Sequence, residues 1–169
     1  MKIEIGSGEN PDLGYDIHTD MLALPHVECI CPMDKIPYPD ATFDGLRAND
    51  VLEHQSWELI KPTLLEWNRI LKPGADVFIQ VPNGRHIILM YAGGMFTIEL
   101  ANYYLMGGHT ERPAYRGVDK NNVPLWIWNA HHTFFDDAWL KKNLEETGFT
   151  NIQITANEIG NLECRCNKS

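Results

Sequence analysis

The sequence predicts one α/β domain built on an open sheet. Three observations point there. Short runs of strand character recur along the chain, an amphipathic helix separates two of them, and the chain closes on a pair of strands without a helix between them. With 169 residues, 44% of them hydrophobic, the chain has the size of one domain and needs no disulfide or metal staple to bury a core.

In chain order, residues 2–6 (KIEIG) alternate polar and apolar and end in glycine, which reads as a first strand. A loop through Pro11 and Gly14 leads to a second short strand over Tyr15 to His18. Residues 27–31 (VECIC) make a third, stopped by Pro32, and three prolines hold the next segment as loop. Residues 43–48 make a fourth, after which Asn49 and Asp50 offer helix-cap chemistry. Ile60, Leu64, Trp67 and Leu71 then fall on one helical face, with Pro62 suited to the first turn and Pro73-Gly74 as the stop. Residues 75–81 are an apolar run of the kind found in buried strands. A helix follows over 135–148, with Asp136 at its start and Gly148 at its end, then strands over 151–158 and 161–168 joined through Ile159-Gly160.

Residues 84–133 break this rhythm. They are too long for an ordinary connection and form an insertion or lid. Their first half carries almost no charge, the pattern of a buried helix or an oligomer contact. The second half holds Tyr115, Trp126 and Trp128 with Arg112, Arg116 and Lys120, a set suited to stacking on and pairing with a substrate.

Charge is uneven. Residues 1–60 hold three Lys/Arg against twelve Asp/Glu, while residues 61–169 hold eleven of each, so the whole net charge of −9 sits in the first third. No clustered basic patch exists for a nucleic-acid footprint. An acidic first third suits a cationic small ligand, and it equally suits solvated loops. No segment reaches the ~18 apolar residues of a membrane span, and no leader-like run opens the chain. These features lead us to expect a cytoplasmic protein with a small-molecule substrate.

Gly6-Ser7-Gly8 follows the first strand, where glycines let backbone approach a ligand. A dinucleotide fingerprint needs a third glycine where this chain has Pro11, which disfavours a pyrophosphate ligand. Two C-x-C pairs, Cys29/Cys31 and Cys164/Cys166, have spacing unusual for zinc, and no metal site is expected.

Four stretches, IEIGSG (3–8), YDIH (15–18), IPYPDATFDGLRANDVLEH (36–54) and EWNRILKPGADVFIQVPN (66–83), together with a weaker one at 131–149, resemble a class I S-adenosylmethionine (SAM) dependent methyltransferase of the short, type 11-like form. The resemblance implies a Rossmann-like sheet of order 3-2-1-4-5-7-6 with an antiparallel C-terminal hairpin and reduced N-terminal helices. It implies methyl transfer from SAM to a small acceptor, with a catalytically silent SAM-binding or regulatory subunit as the alternative. Carried over residue by residue, it places Gly6, Ser7 and Gly8 on the methionine part of SAM, Asp16 on the ribose, Met33 or Asp34 on the adenine, and Asn49 and Asp50 on the amino-acid part. His54, and after it His132, are the candidate general bases, with positioning alone as the other reading of His54. In the implied strand order the two cysteine pairs stand on opposite sides of the sheet. The stretch from Gly8 to Tyr15 is too short for a crossover helix, so part of one sheet face is left bare. An uncovered apolar face needs either residues 84–110 or a second subunit packed on it, and a homodimer or higher oligomer is expected.

Overall fold

A computed structural model describes residues 1–107, 116–118, 121–158 and 160–169. Of the residues singled out above, Arg112, Tyr115, Lys120 and Ile159 lie outside the described set. Seven strands form one sheet: β1 (Lys2–Ile5), β2 (Ile17–Asp20), β3 (Cys29–Ile30), β4 (Phe43–Asn49), β5 (Leu71–Val81), β6 (Phe149–Ala156) and β7 (Leu162–Lys168). Their order is β3-β2-β1-β4-β5-β7-β6, with β1 to β5 parallel and β7 antiparallel to both neighbours. The helices are α1 (Ile60–Ile70), α2 (Gly84–Ala92), α3 (Ile98–Met106) and α4 (Asp137–Glu146).

Several boundaries differ from the sequence reading. β2 starts two residues late and runs to Asp20, because Ile17 and Thr19 are the residues that pair with Ile3 and Ile5 of β1. Asn49 and Asp50 do not cap a helix; a short 3-10 turn, Leu52–His54, follows with Val51 at its cap position and no side-chain cap bond. α1 ends at Ile70 and β5 begins at Leu71, ahead of Pro73 and Gly74. The ladder to β4 jumps from Phe43–Leu71 to Gly45–Asp76. The proline therefore sits in an irregular stretch where no ladder N–H is missed. Residues 84–133 begin with α2 and α3, which bury only Gly84, Ile87 and Ala101 and so do not form a buried helix.

The two faces of the sheet differ in kind. Ile3, Leu46, Val77 and Cys166 lie in one cross-strand row, and Ile5, Ala48, Ile79 and Cys164 in the next. These rows pack in one core with Ile60, Leu64 and Trp67 of α1 and Leu140 and Leu144 of α4. The intervening row, on the opposite face, reads His18, Glu4, Arg47, Phe78, Arg165 and Gln153. Among the described residues no helix joins β1 to β2, and the connecting loop instead folds back on this polar face. The Asp12 N–H donates to Glu4 Oε2 at 2.8 Å, and Arg47 pairs with Glu4 and Asp12. The guanidinium groups of Arg47 and Arg165 stand over the Phe78 ring at 5.9 and 5.0 Å. The bare face is thus polar, so the apolar-face argument for a second subunit does not hold. Cys29 on β3 and Cys164 and Cys166 on β7 are separated by four strands, which keeps the two C-x-C pairs about 24 Å apart.

The loop 31–42 is fastened to α1. Trp67 Nε1 donates to the Met33 carbonyl at 2.9 Å, Glu66 accepts from the Ile36 N–H at 2.7 Å, and Arg69 donates to the carbonyls of Ile36 and Tyr38 and to Asp40. The two sequence stretches around these residues are therefore one physical unit.

Candidate functional site

A cavity of about 420 Å³ opens at the carboxyl edge of β1, β2 and β4, within the ~300–1,000 Å³ range of small-molecule sites. Gly6, Ser7 and Gly8 form one wall. Gly6 has φ +64°, and a Cβ there would stand 2.2 Å from Val51 Cγ2, so the turn admits only glycine. The Ser7 N–H donates to the Thr19 carbonyl at 3.1 Å, and its hydroxyl pairs with His26 Nε2 at 3.2 Å.

The acid at the end of β2 is Asp20. It lines the cavity and accepts from the Gly8 N–H through Oδ2 and from the Leu22 N–H through Oδ1, both at 2.9 Å. Asp16 is the acid the sequence reading assigned to this place. It precedes β2, and its Oδ2 accepts from the Lys2 N–H at 2.6 Å at the amino edge of β1, far from the cavity. The correction follows from the two-residue shift of β2.

On the other side, Met33 lines the cavity, and its carbonyl is already held by Trp67. Asp34 lies in the following turn and is not among the lining residues. Cys31 also faces the cavity; burial, with a hydrogen bond that its thiol donates to Cys29, pushes it up to about 12. Asn49 and Asp50 line the floor. Asp50 takes a left-handed φ of +52°, which Asp adopts more readily than most side chains, and is fixed by Gln80 Nε2 at 2.9 Å and Asn49 Nδ2 at 3.0 Å.

His54, Trp128 and Asn129 close the cavity mouth. Both His54 ring nitrogens face backbone carbonyls, Nδ1 that of Ala130 at 3.1 Å and Nε2 that of Asp50 at 3.2 Å. His132 is exposed and meets this region only through its N–H, which donates to the Glu53 carbonyl at 2.8 Å. Its neighbour His131 is the imidazole that turns inward, 5.1 Å from the His54 ring and with Nε2 3.9 Å from Glu53 Oε1. The sequence reading thus missed Asp20, His131 and Asn129. Trp126 and Arg116 are not among the lining residues.

Residues 13–79 match the family model described as a methyltransferase domain. No curated protein matches the chain. Solved structures do. A SAM-dependent methyltransferase from Archaeoglobus fulgidus superposes with a TM-score of 0.65 at 15% identity, covering 99% of this chain and 85% of that one. The sheet order and fold are those of class I SAM-dependent methyltransferases. The Burkholderia thailandensis 1,6-didemethyltoxoflavin-N1-methyltransferase, solved with its substrate and S-adenosylhomocysteine, gives a TM-score of 0.60 at 15% identity over 99% of this chain and 70% of that one. The CurJ carbon methyltransferase gives a TM-score of 0.58 at 17% identity, over 99% of this chain but only 48% of that longer one. No helix among the described residues is long and apolar enough to cross a membrane.

Proposed function

We propose that this domain binds SAM in the carboxyl-edge cavity and transfers its methyl group to a small-molecule acceptor. The observation that carries the reading is the Asp20 carboxylate at the end of β2, tied to Gly8 and facing the cavity. A carboxylate offers about four lone-pair sites, and two are used, which leaves two for a pair of ribose hydroxyls. Gly6, Ser7 and Gly8 would hold the methionine part, Asn49 and Asp50 its amino-acid group, and Met33 the adenine. Bound there, SAM supplies a sulfonium-activated methyl group, and the acids Glu9, Asp20 and Asp50 around the cavity favour a cation. The domain's part is to orient the acceptor and exclude water.

His54, Trp128 and Asn129 support an acceptor side at the mouth, with residues 84–133 as the lid over it. Apolar side chains exposed on and between α2 and α3, among them Leu89, Met95 and Tyr103, support self-association, which sedimentation at several concentrations tests. The deciding experiment for the cofactor is calorimetric titration with S-adenosylhomocysteine. Saturable one-to-one binding is expected, and its absence would sink the reading. Transfer of a labelled methyl group from SAM to a metabolite extract then separates an enzyme from a silent SAM-binding subunit.

A further inference from the structure

We propose that Glu53, His54 and His131 form a divalent transition-metal site at the cavity mouth, and that its open positions take a hydroxyl oxygen of the acceptor. The donor atoms of the three side chains, one carboxylate oxygen and two imidazole nitrogens, lie within 4.8 Å of one another. Metal bonds of ~2.1 Å at tetrahedral angles place donors roughly 3.4 Å apart, so a contraction of at most about 1.4 Å closes the set. Two imidazoles and one carboxylate favour Mn²⁺, Fe²⁺, Co²⁺ or Zn²⁺ over Mg²⁺ or Ca²⁺, and leave coordination positions free.

The surroundings hold these three groups in place. Glu53 is 1% exposed, and its carbonyl accepts from the N–H groups of His132 and Thr133 at 2.8 and 3.1 Å. Thr133 Oγ1 donates to the Gln55 carbonyl at 2.6 Å, which fastens the 129–133 strip along the 3-10 turn. The His131 N–H donates to the Met106 carbonyl at 2.8 Å. Gly107, at φ +59°, lies so close that a Cβ there would stand 2.5 Å from His131 Cδ2; any side chain would push the ring away. His54 faces the Ala130 carbonyl through Nδ1 and the Asp50 carbonyl through Nε2. A neutral imidazole has one N–H, so only one of these contacts is a hydrogen bond. With Nδ1–H given to Ala130, the Nε2 lone pair faces a carbonyl it cannot bond, and Nε2 is the nitrogen that would bind a metal ion, the arrangement that orients metal-bound histidine.

The link to the acceptor rests on the methyl-transfer reading; the ion site itself stands on the three side chains. His54 lines the cavity, so an ion beside it meets whatever fills the mouth. An ion there lowers the pKa of a coordinated hydroxyl, whose proton leaves to solvent. The acceptor class it fits is an alcohol or phenol.

The test uses the full chain stripped with a chelator and titrated with Mn²⁺ by calorimetry and with Co²⁺ by visible absorption. One ion per chain is expected. Glu53→Gln and His131→Gln should each weaken binding at least tenfold. If Glu53→Gln fails to fold, as judged by circular dichroism, His131→Gln decides alone. Wild-type chain that takes up neither ion at millimolar concentration, or variants that bind as well as wild type, would overturn the proposal. Parallel titration with S-adenosylhomocysteine separates the two readings. That ligand bound without any ion leaves the cofactor reading standing and the metal site refuted. One ion per chain with no such ligand bound does the reverse.

Discussion

The Asp20 carboxylate accepts a hydrogen bond from the Gly8 N–H at 2.9 Å, and this bond ties the end of β2 to the glycine loop after β1. In a sheet whose first crossover has no helix among the described residues, that loop has no helix start to fix it. Asp20 replaces it. One oxygen fixes the loop and the other the Leu22 N–H, so the acid at the cavity wall is also what shapes the wall.

Asp20→Asn should therefore weaken S-adenosylhomocysteine binding by about 10- to 100-fold, since hydrogen bonds to a charged group contribute ~1.5–3 kcal/mol. Asp16→Asn should leave the affinity unchanged, because Asp16 serves only the Lys2 N–H at the amino edge. Isothermal calorimetry on both variants checks this. The opposite ranking would move the ribose site back to Asp16.

A second prediction concerns acid stability. Hydrogen bonds from Arg69 hold the Glu66 carboxyl below the usual glutamate range, with the Ile36 N–H adding to the effect. A folded-state pKa below the unfolded value stabilises the fold fully above about pH 4.3, and the contribution fades as pH falls through the lowered value. Glu66→Gln should cost about 1–2 kcal/mol at pH 7, and the gap to wild type should narrow toward pH 3. Urea denaturation at both values measures it. A gap that does not change with pH would mean that packing, not charge, holds the 31–42 loop on α1.

Most element positions were legible in local pattern, whereas the sheet order followed only from the family resemblance. Alternation in KIEI and apolar spacing across Ile60, Leu64 and Trp67 report which side of each element is buried. The same alternation carried a further signal. Parallel strands covered on both faces read as continuous apolar runs, whereas β1 and β4 alternate, with Glu4 and Arg47 between apolar neighbours. A sheet covered on one side was thus written in the strands, and the charge of its other face with it. The acid at the cavity wall was missed by strand register: Tyr15 is a good strand former, but here it belongs to the loop, and the strand ends two residues later, at Asp20. The Glu53–His54–His131 group had no local signal, since the 3-10 turn and the 129–133 strip meet only in the fold, His54 with Ala130 across 76 positions.

Gly6 tests the tight turn. At φ +64°, with Val51 Cγ2 2.2 Å from any added Cβ, Gly6→Ala meets both backbone strain and overlap. Left-handed backbone alone costs about 1–2 kcal/mol, and overpacking about 1–3 kcal/mol. Chemical denaturation should show a loss of roughly 2 kcal/mol or more, with S-adenosylhomocysteine binding impaired in the fraction that still folds. Wild-type stability in Gly6→Ala would mean the loop has room the structure does not show.

The polar face offers the last prediction. Glu4 is 1% exposed yet charged, and it is held there by Arg47 with the Asp12 N–H at its second oxygen. Removing one partner of a buried pair leaves the other charge without compensation, at a cost of about 3–5 kcal/mol, whereas replacing both with apolar groups of similar size is often near neutral. Arg47→Met should accordingly destabilise the domain far more than the double variant Glu4→Leu/Arg47→Met. Denaturation midpoints of wild type, the single variant and the double variant measure the difference. Additive losses in the double variant would show that Glu4 and Arg47 act through separate contacts, not as a pair.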